Sequence, residues 1–169
     1  ATATSTPTPS TDFCQAPVTA GQPGSCSTGG DASPGDNTVT RVMIPGGAAP
    51  ASFMLTVTET NSPPIPPGFR AFGQLVSIDA QGESLFSPAT VMFEFDQSLG
   101  EPANDVNDVN RLWLFRNGLP VPDCNGSNTP CVCGRSVEPD GDFLVCGQTH
   151  HFSDWFAAFS DSTISGTVT

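Results

Sequence analysis

A chain of 169 residues with 17 acidic side chains, five arginines and no lysine carries a net charge of −12, which excludes nucleic-acid binding, since that needs cations to replace phosphate counterions. The same charge excludes docking on anionic membranes, and no apolar run reaches the ~20 residues that span a bilayer, so no membrane insertion is expected. The absence of lysine and tyrosine removes Schiff-base, P-loop, isopeptide and phenolic chemistry, and 17 Gly with 17 Pro disfavour long helices.

Residues 1–11, ATATSTPTPST, form a Thr/Ser/Pro tract with nothing to bury, expected to be extended. Thr4, Thr6 and Thr8 are candidate glycosylation positions there. The tract is expected to pair with a sheet edge, its own or a neighbour's, as a linker or assembly strand. Residues 12–38 read as a Gly/Ser-rich loop closed by a Cys14–Cys26 disulfide, and residues 39–169 as a β-sandwich domain.

Within that domain, 39–44 is apolar and β-branched and stops at Pro45-Gly46-Gly47. Phe53, Leu55 and Val57 alternate with Met54, Thr56 and Thr58, the period of a half-buried strand. Strand 72–78 places Phe72, Val76 and Ile78 on one face. In 90–96, Val91, Phe93 and Phe95 point inward and Met92, Glu94 and Asp96 outward. An acidic loop covers 98–110. Strand 111–116 runs into Asn117-Gly118, a hairpin signal, with 119–121 returning. A cysteine-rich loop spans 124–134, Asp140-Gly141 turns into strand 142–148, and 155–159 and 163–168 complete the chain. Short strands between turns and no convincing helix predict an all-β fold: an Ig-like antiparallel β-sandwich with disulfide-rich loops and an extended N-terminal tail.

Cys14, Cys26, Cys124, Cys131, Cys133 and Cys146 make an even set in an acidic, Thr/Ser/Pro-rich chain, and disulfides in an oxidising, secreted or cell-surface setting are expected. Zinc fits less well, because the last four cysteines lack two CxxC knuckles. Cys131 and Cys133 share a side if extended and bond different partners, but the spacing does not assign the pairs. Ala rather than Met at position 1 fits removal of a leader and fits an excised fragment equally.

Four segments together resemble ZU5-type domains: Ile44-Pro45-Gly46-Gly47-Ala48 is similar to their IPxGA turn, 86–93 (FSPATVMF) to FSxPVTVxF, 112–118 (LWLFRNG) to LxLFRxxG, and His151-Phe152-Ser153 before Trp155-Phe156-Ala157 to a terminal HFSxFA. The resemblance covers about 39–159 and implies a module of the kind found in bacterial-type secreted surface proteins, usually non-catalytic. It leaves the first 38 residues, the four-cysteine insertion and the last strand unexplained. Some ZU5-type domains cleave themselves at HFS. By that resemblance the Ser153 hydroxyl would attack the Phe152 carbonyl with His151 as base. The plainer reading puts Phe152 in the core and Ser153 at a strand start.

Other constellations are weaker. His150, His151 and Asp154 as metal ligands conflict with neighbouring strand residues facing opposite ways. Ser153, His151 and Asp154 as a hydrolase triad lack a GxSxG elbow. Asp105, Asn107, Asp108 and Asn110 offer calcium-type oxygens without the glycine or terminal glutamate of an EF-hand loop, and Asp31 and Asp36 are weaker still. Asn125-Gly126-Ser127 is a glycosylation sequon. Trp113, Trp155 and the 12 Phe fall mostly at core positions. No cofactor and no enzymatic activity are expected. The expected role is an extracellular structural module, a subunit of a surface filament or appendage that self-associates head to tail by donor-strand addition through its tail. A glycan- or calcium-binding adhesin module is the alternative, and a self-cleaving domain the third.

Overall fold

The structure is a computed structural model and describes residues 12–61, 63–97 and 109–160. Its strands are β1 (Asp12–Val18), β2 (Gly24–Ser27), β3 (Thr38–Ile44), β4 (Phe53–Thr60), β5 (Phe69–Asp79), β6 (Ala89–Phe95), β7 (Leu112–Arg116), β8 (Leu119–Pro120), β9 (Cys131–Val137), β10 (Phe143–Thr149) and β11 (Asp154–Ser160). They form a six-stranded sheet, β1-β4-β5-β11-β7-β8, and a five-stranded sheet, β2-β3-β6-β10-β9, with every strand pair antiparallel. This is the expected all-β, sandwich-like architecture.

Alternation explains the core. Phe53, Leu55 and Val57 from β4, Val91, Phe93 and Phe95 from β6, and Phe143 and Val145 from β10 are all buried. Phe72 is the hub, with ring centroids 4.6 Å from Phe159, 5.2 Å from Phe95 and 5.5 Å from Phe143. Trp155 is fully buried and lies 5.7 Å from Phe93. The hairpin expected at Asn117-Gly118 joins β7 to β8, with both turn residues at positive φ, 53° and 79°.

Gly73 sits within β5 at φ 86°, next to a register irregularity where β5 meets β11. A Cβ there would lie 2.5 Å from Phe95 Cε1 and 2.8 Å from Thr38 Oγ1. The glycine therefore lets the two sheets approach each other.

Two stretches expected to be loops hold strands. Residues 12–38 contribute β1 and β2, one to each sheet, and the cysteine-rich segment contains β9 at the margin of the five-stranded sheet. The six cysteines pair as Cys14–Cys26, Cys124–Cys131 and Cys133–Cys146. Cys14–Cys26 ties β1 to β2 and so joins the two sheets along one side. Cys133–Cys146 joins β9 to β10, and Cys124–Cys131 closes the loop before β9. Three disulfides fit an oxidising environment. Among the described residues, no helix is long and apolar enough to cross a membrane.

Candidate functional site

Carboxylates gather at one end of the sandwich in two groups, and each takes one member from the β2–β3 connection. The first group lies between the sheets. Glu59 continues the inward series of Phe53, Leu55 and Val57, so the pleat carries it into the core, where it is 0% exposed. Its Oε2 accepts hydrogen bonds from the hydroxyls of Thr28 (2.9 Å) and Thr40 (2.5 Å), while Oε1 has no hydrogen-bond partner. Burial pushes this carboxyl up to about 7 against the two hydroxyls, and the charges of Asp36 and Asp12 add to the rise. Asp12, Asp36 and Glu59 can each bring one carboxylate oxygen within 4.8 Å of the others. Asp36 is raised to about 6, first by burial and then by the charge of Asp12.

The second group lies on the outer face of the five-stranded sheet. Glu138, Asp140 and Asp142 come from the β9–β10 hairpin turn, and Asp31 reaches them from the β2–β3 connection. One oxygen from each of the four lies within 4.8 Å of the rest. The turn is held by the Asp142 N–H on Asp140 Oδ1 (3.1 Å), the Gly141 N–H on the Glu138 carbonyl (2.8 Å) and the Glu138 N–H on the Asp142 carbonyl (2.8 Å). Asp142 is 2% exposed; its Oδ1 accepts the Gln97 N–H (3.1 Å), and its carboxyl is hydrogen-bonded to Glu94.

Glu94 stands beside this group. Its outward register is as expected, yet it is buried, because the β2–β3 connection covers it: Oε2 accepts the Ala32 N–H (2.8 Å) and Oε1 pairs with Arg41 (2.9 Å). Burial alone would raise Glu94, but the Ala32 N–H and Arg41 outweigh it and hold the group below its ordinary range. Its neighbours shift the other way. A hydrogen bond to Glu94 raises Asp31, burial raises Glu138, and burial pushes Asp142 up to about 7, with the charge of Asp140 adding to all three.

The HFS segment sits at the opposite end of β10, before β11. His151 Nδ1 lies 2.9 Å from Ser84 Oγ and His150 Nδ1 lies 2.8 Å from Thr129 Oγ1, so the two rings serve different loops. Phe152 packs against the core, the Ser153 carbonyl accepts the Ile78 N–H (3.0 Å), and Ser153 Oγ is buried with no hydrogen-bond partner. With the His151 ring turned to Ser84, no base among the described residues is hydrogen-bonded to Ser153 Oγ. Mass spectrometry of the denatured protein is expected to show one chain continuous through 152–153. Two fragments meeting there would overturn that expectation.

Trp113 departs from the core position expected of it. It is 41% exposed on the outer face of the six-stranded sheet, edge-on to Phe69 at 5.7 Å. A cleft of about 320 Å³ beside it is lined by Asn110, Trp113, Val121, Pro122, Asp123 and Arg135. Arg135 donates to Asp123 Oδ1 (3.0 Å) and to the Leu112 carbonyl (2.8 Å), which fixes the polar wall of the cleft. Asn125 is exposed in the loop closed by Cys124–Cys131. Thr4, Thr6 and Thr8, the tail as an assembly strand, Asp105, Asn107 and Asp108, and the strand expected at 163–168 lie outside the described residues.

The acidic groups of the end, apart from Asp31 and Asp36, carried no site expectation from sequence. One signal was present: Glu138-x-Asp140-x-Asp142 around a glycine places carboxylates at alternate positions of a turn. No protein-family model matches this chain, and no curated protein matches it.

Proposed function

We propose that this protein is a non-catalytic extracellular structural module, an Ig-like sandwich of ZU5 type that joins a surface filament or appendage by strand addition. The observation that carries this reading is the position of β1. It follows directly on the Thr/Ser/Pro tract and forms one margin of the six-stranded sheet, where β4 is its only partner among the described residues. A sheet margin offers unpaired backbone groups to an extended segment of another copy, and a Thr/Ser/Pro tract with no apolar side chains to bury has a composition that suits such a segment. A head-to-tail contact of this kind does not close, so it propagates. The disulfide joining the two sheets beside β1 suits a subunit kept in an oxidising environment, with Asn125 and the tail threonines as places for attached glycans. Deleting residues 1–11 is expected to abolish assembly in sedimentation velocity while circular dichroism still reports a folded β protein. Unchanged assembly of the truncated chain would defeat this reading.

The cleft at Trp113 favours a second reading, a glycan-binding adhesin module. A half-exposed indole offers a flat apolar surface for a sugar ring, and Asn110, Asp123 and Arg135 supply hydrogen-bonding groups around it. Binding of oligosaccharides that quenches tryptophan fluorescence and is lost in Trp113→Ala would place this role first.

A further inference from the structure

The outer face of the six-stranded sheet is apolar where β5, β11 and β7 lie side by side. Phe115, Phe156 and Ala158 form a small buried cluster there, and Ile65 and Phe69 pack onto it. Ile65 belongs to Pro63-Pro64-Ile65-Pro66-Pro67, so this face already carries one proline-rich segment of the chain. Trp113 extends the face toward the β8 margin: its ring meets Phe69 edge-on at 5.7 Å and the residue is 41% exposed. Val121 and Pro122 continue the apolar wall of the cleft of about 320 Å³ beside it, and Asn110, Asp123 and Arg135 are its polar members. An aromatic cleft with a polar edge suits a polyproline-type segment, whose rings pack on the aromatic while its backbone carbonyls stay available for hydrogen bonds.

We infer that Pro7 and Pro9 of one copy seat in the Trp113 cleft of the next copy. This rests on the reading that the tail joins copies, and it names where the prolines go. The tract ATATSTPTPST holds no charged side chain, whereas the rest of the chain carries all of the net charge of −12. It is therefore the part of one copy that approaches another without like-charge repulsion. Pro7 and Pro9 lack N–H groups at alternate positions, so neither donates in a β-ladder and this part of the tail needs contacts other than main-chain pairing. Distance makes the contact intermolecular. Asp12 stands in one row across the sheet with Glu59, Val76, Trp155 and Arg116. β7 is four strands from β1, about 19 Å at ~4.8 Å per strand, and Trp113 lies three residues along β7 from Arg116, about 10 Å in the strand direction. The five residues from Asp12 back to Pro7 span at most about 18 Å, short of the ~21 Å these offsets combine to. A chain therefore does not fill its own cleft with these prolines. Tail and cleft lie toward opposite margins of the sheet, so the contact joins copy after copy in an open series.

The test is sedimentation velocity of the chain 1–169 and of two variants, with circular dichroism to check that each is folded. Trp113→Ala removes the aromatic wall at a half-exposed position. Pro7→Ala combined with Pro9→Ala keeps the length of the tail and restores two N–H donors, so main-chain pairing alone would tolerate it. Each variant is expected to need about tenfold or more higher concentration to assemble, as for loss of a central aromatic contact. Should Trp113→Ala lose its fold, the proline variant, altered only in the tail, decides. The second readout is tryptophan emission on adding the synthetic peptide ATATSTPTPST. The peptide is expected to shift the emission of the parent chain and disperse its assemblies, and to leave the emission of Trp113→Ala unchanged. A folded variant of either kind that assembles at the parent's concentration would overturn the inference and leave strand addition standing. A parent chain that stays monomeric, but whose emission shifts with the peptide through Trp113, would support the cleft and defeat the filament reading. A monomeric parent with no shift up to about 5 mM peptide would overturn both. An emission change with oligosaccharides and none with the peptide would overturn the inference and give the cleft to a sugar.

Discussion

Gly73→Ala is expected to destabilise the protein by about 2–6 kcal/mol, from about 1–3 for an alanine at positive φ and about 1–3 for overpacking. The steric part has no easy relief. The new methyl would meet Phe95 Cε1 at 2.5 Å and Cδ1 at 2.6 Å, and that ring is wedged against Phe72 at 5.2 Å and Phe93 at 6.4 Å. The other neighbour, Thr38 Oγ1, accepts the Gln74 N–H (3.0 Å), so moving it orphans a buried donor. Gly82→Ala is the matched control: its φ is 82°, but nothing lies within 4 Å of the added Cβ. Urea unfolding should place Gly82→Ala about 1 kcal/mol below the parent chain and Gly73→Ala several times further down. Equal stability of the two variants would mean that the sheets do not depend on this close approach.

The second large effect is a stability that falls as pH rises. Glu59 has an ordinary value of 4.5 and is held at about 7 in the fold. Between these two values the folded chain keeps a proton that the unfolded chain has released. Its stabilising contribution is therefore complete below pH 4.5 and is lost as pH climbs through about 7, a change of about 3 kcal/mol. Asp36, raised to about 6, and Asp142, raised to about 7, slope the same way, and the lowered Glu94 opposes them. Glu59→Gln is expected to flatten the dependence and to make the protein more stable than the parent at pH 8. A glutamine oxygen still accepts from Thr28 and Thr40, and its amide can donate toward Asp12 and Asp36. The measurement is chemical unfolding from pH 4.5 to 8 with chelator present, so that cation binding does not contribute. A parent chain that gains stability across that range would contradict the burial of an uncharged Glu59.

What the sequence made legible was whatever repeats within a few residues. The alternation of β4 and β6 located two central strands and the correct inward faces, and Asn117-Gly118 located a hairpin with both residues at positive φ. β1 was not legible, because its inward series of Cys14, Ala16 and Val18 is made of small side chains while its largest apolar residue, Phe13, points out; β2 has only four residues, and β9 was hidden by its cysteines and by Gly134. Alternation held further than its apolar members suggested: one step past Val57 it buries Glu59, a residue whose charge argues for the surface. At Glu94 the period gave the correct face and the wrong exposure, since burial there comes from Ala32 and Arg41, far away in the chain. The two tryptophans show the same limit. Both sit in apolar strands, but Trp155 faces between the sheets and Trp113 faces out. The carboxylate groups depend on the β2–β3 connection folding over the sheet to bring Asp31 and Asp36 to their partners, a long-range event that no local pattern encodes.

The most direct test of an assembling structural module is negative-stain microscopy of this chain in its native state, residues 1–169. Regular filaments with a constant subunit repeat are the expected result, and particles no larger than a single 17.5 kDa chain at every concentration would contradict it.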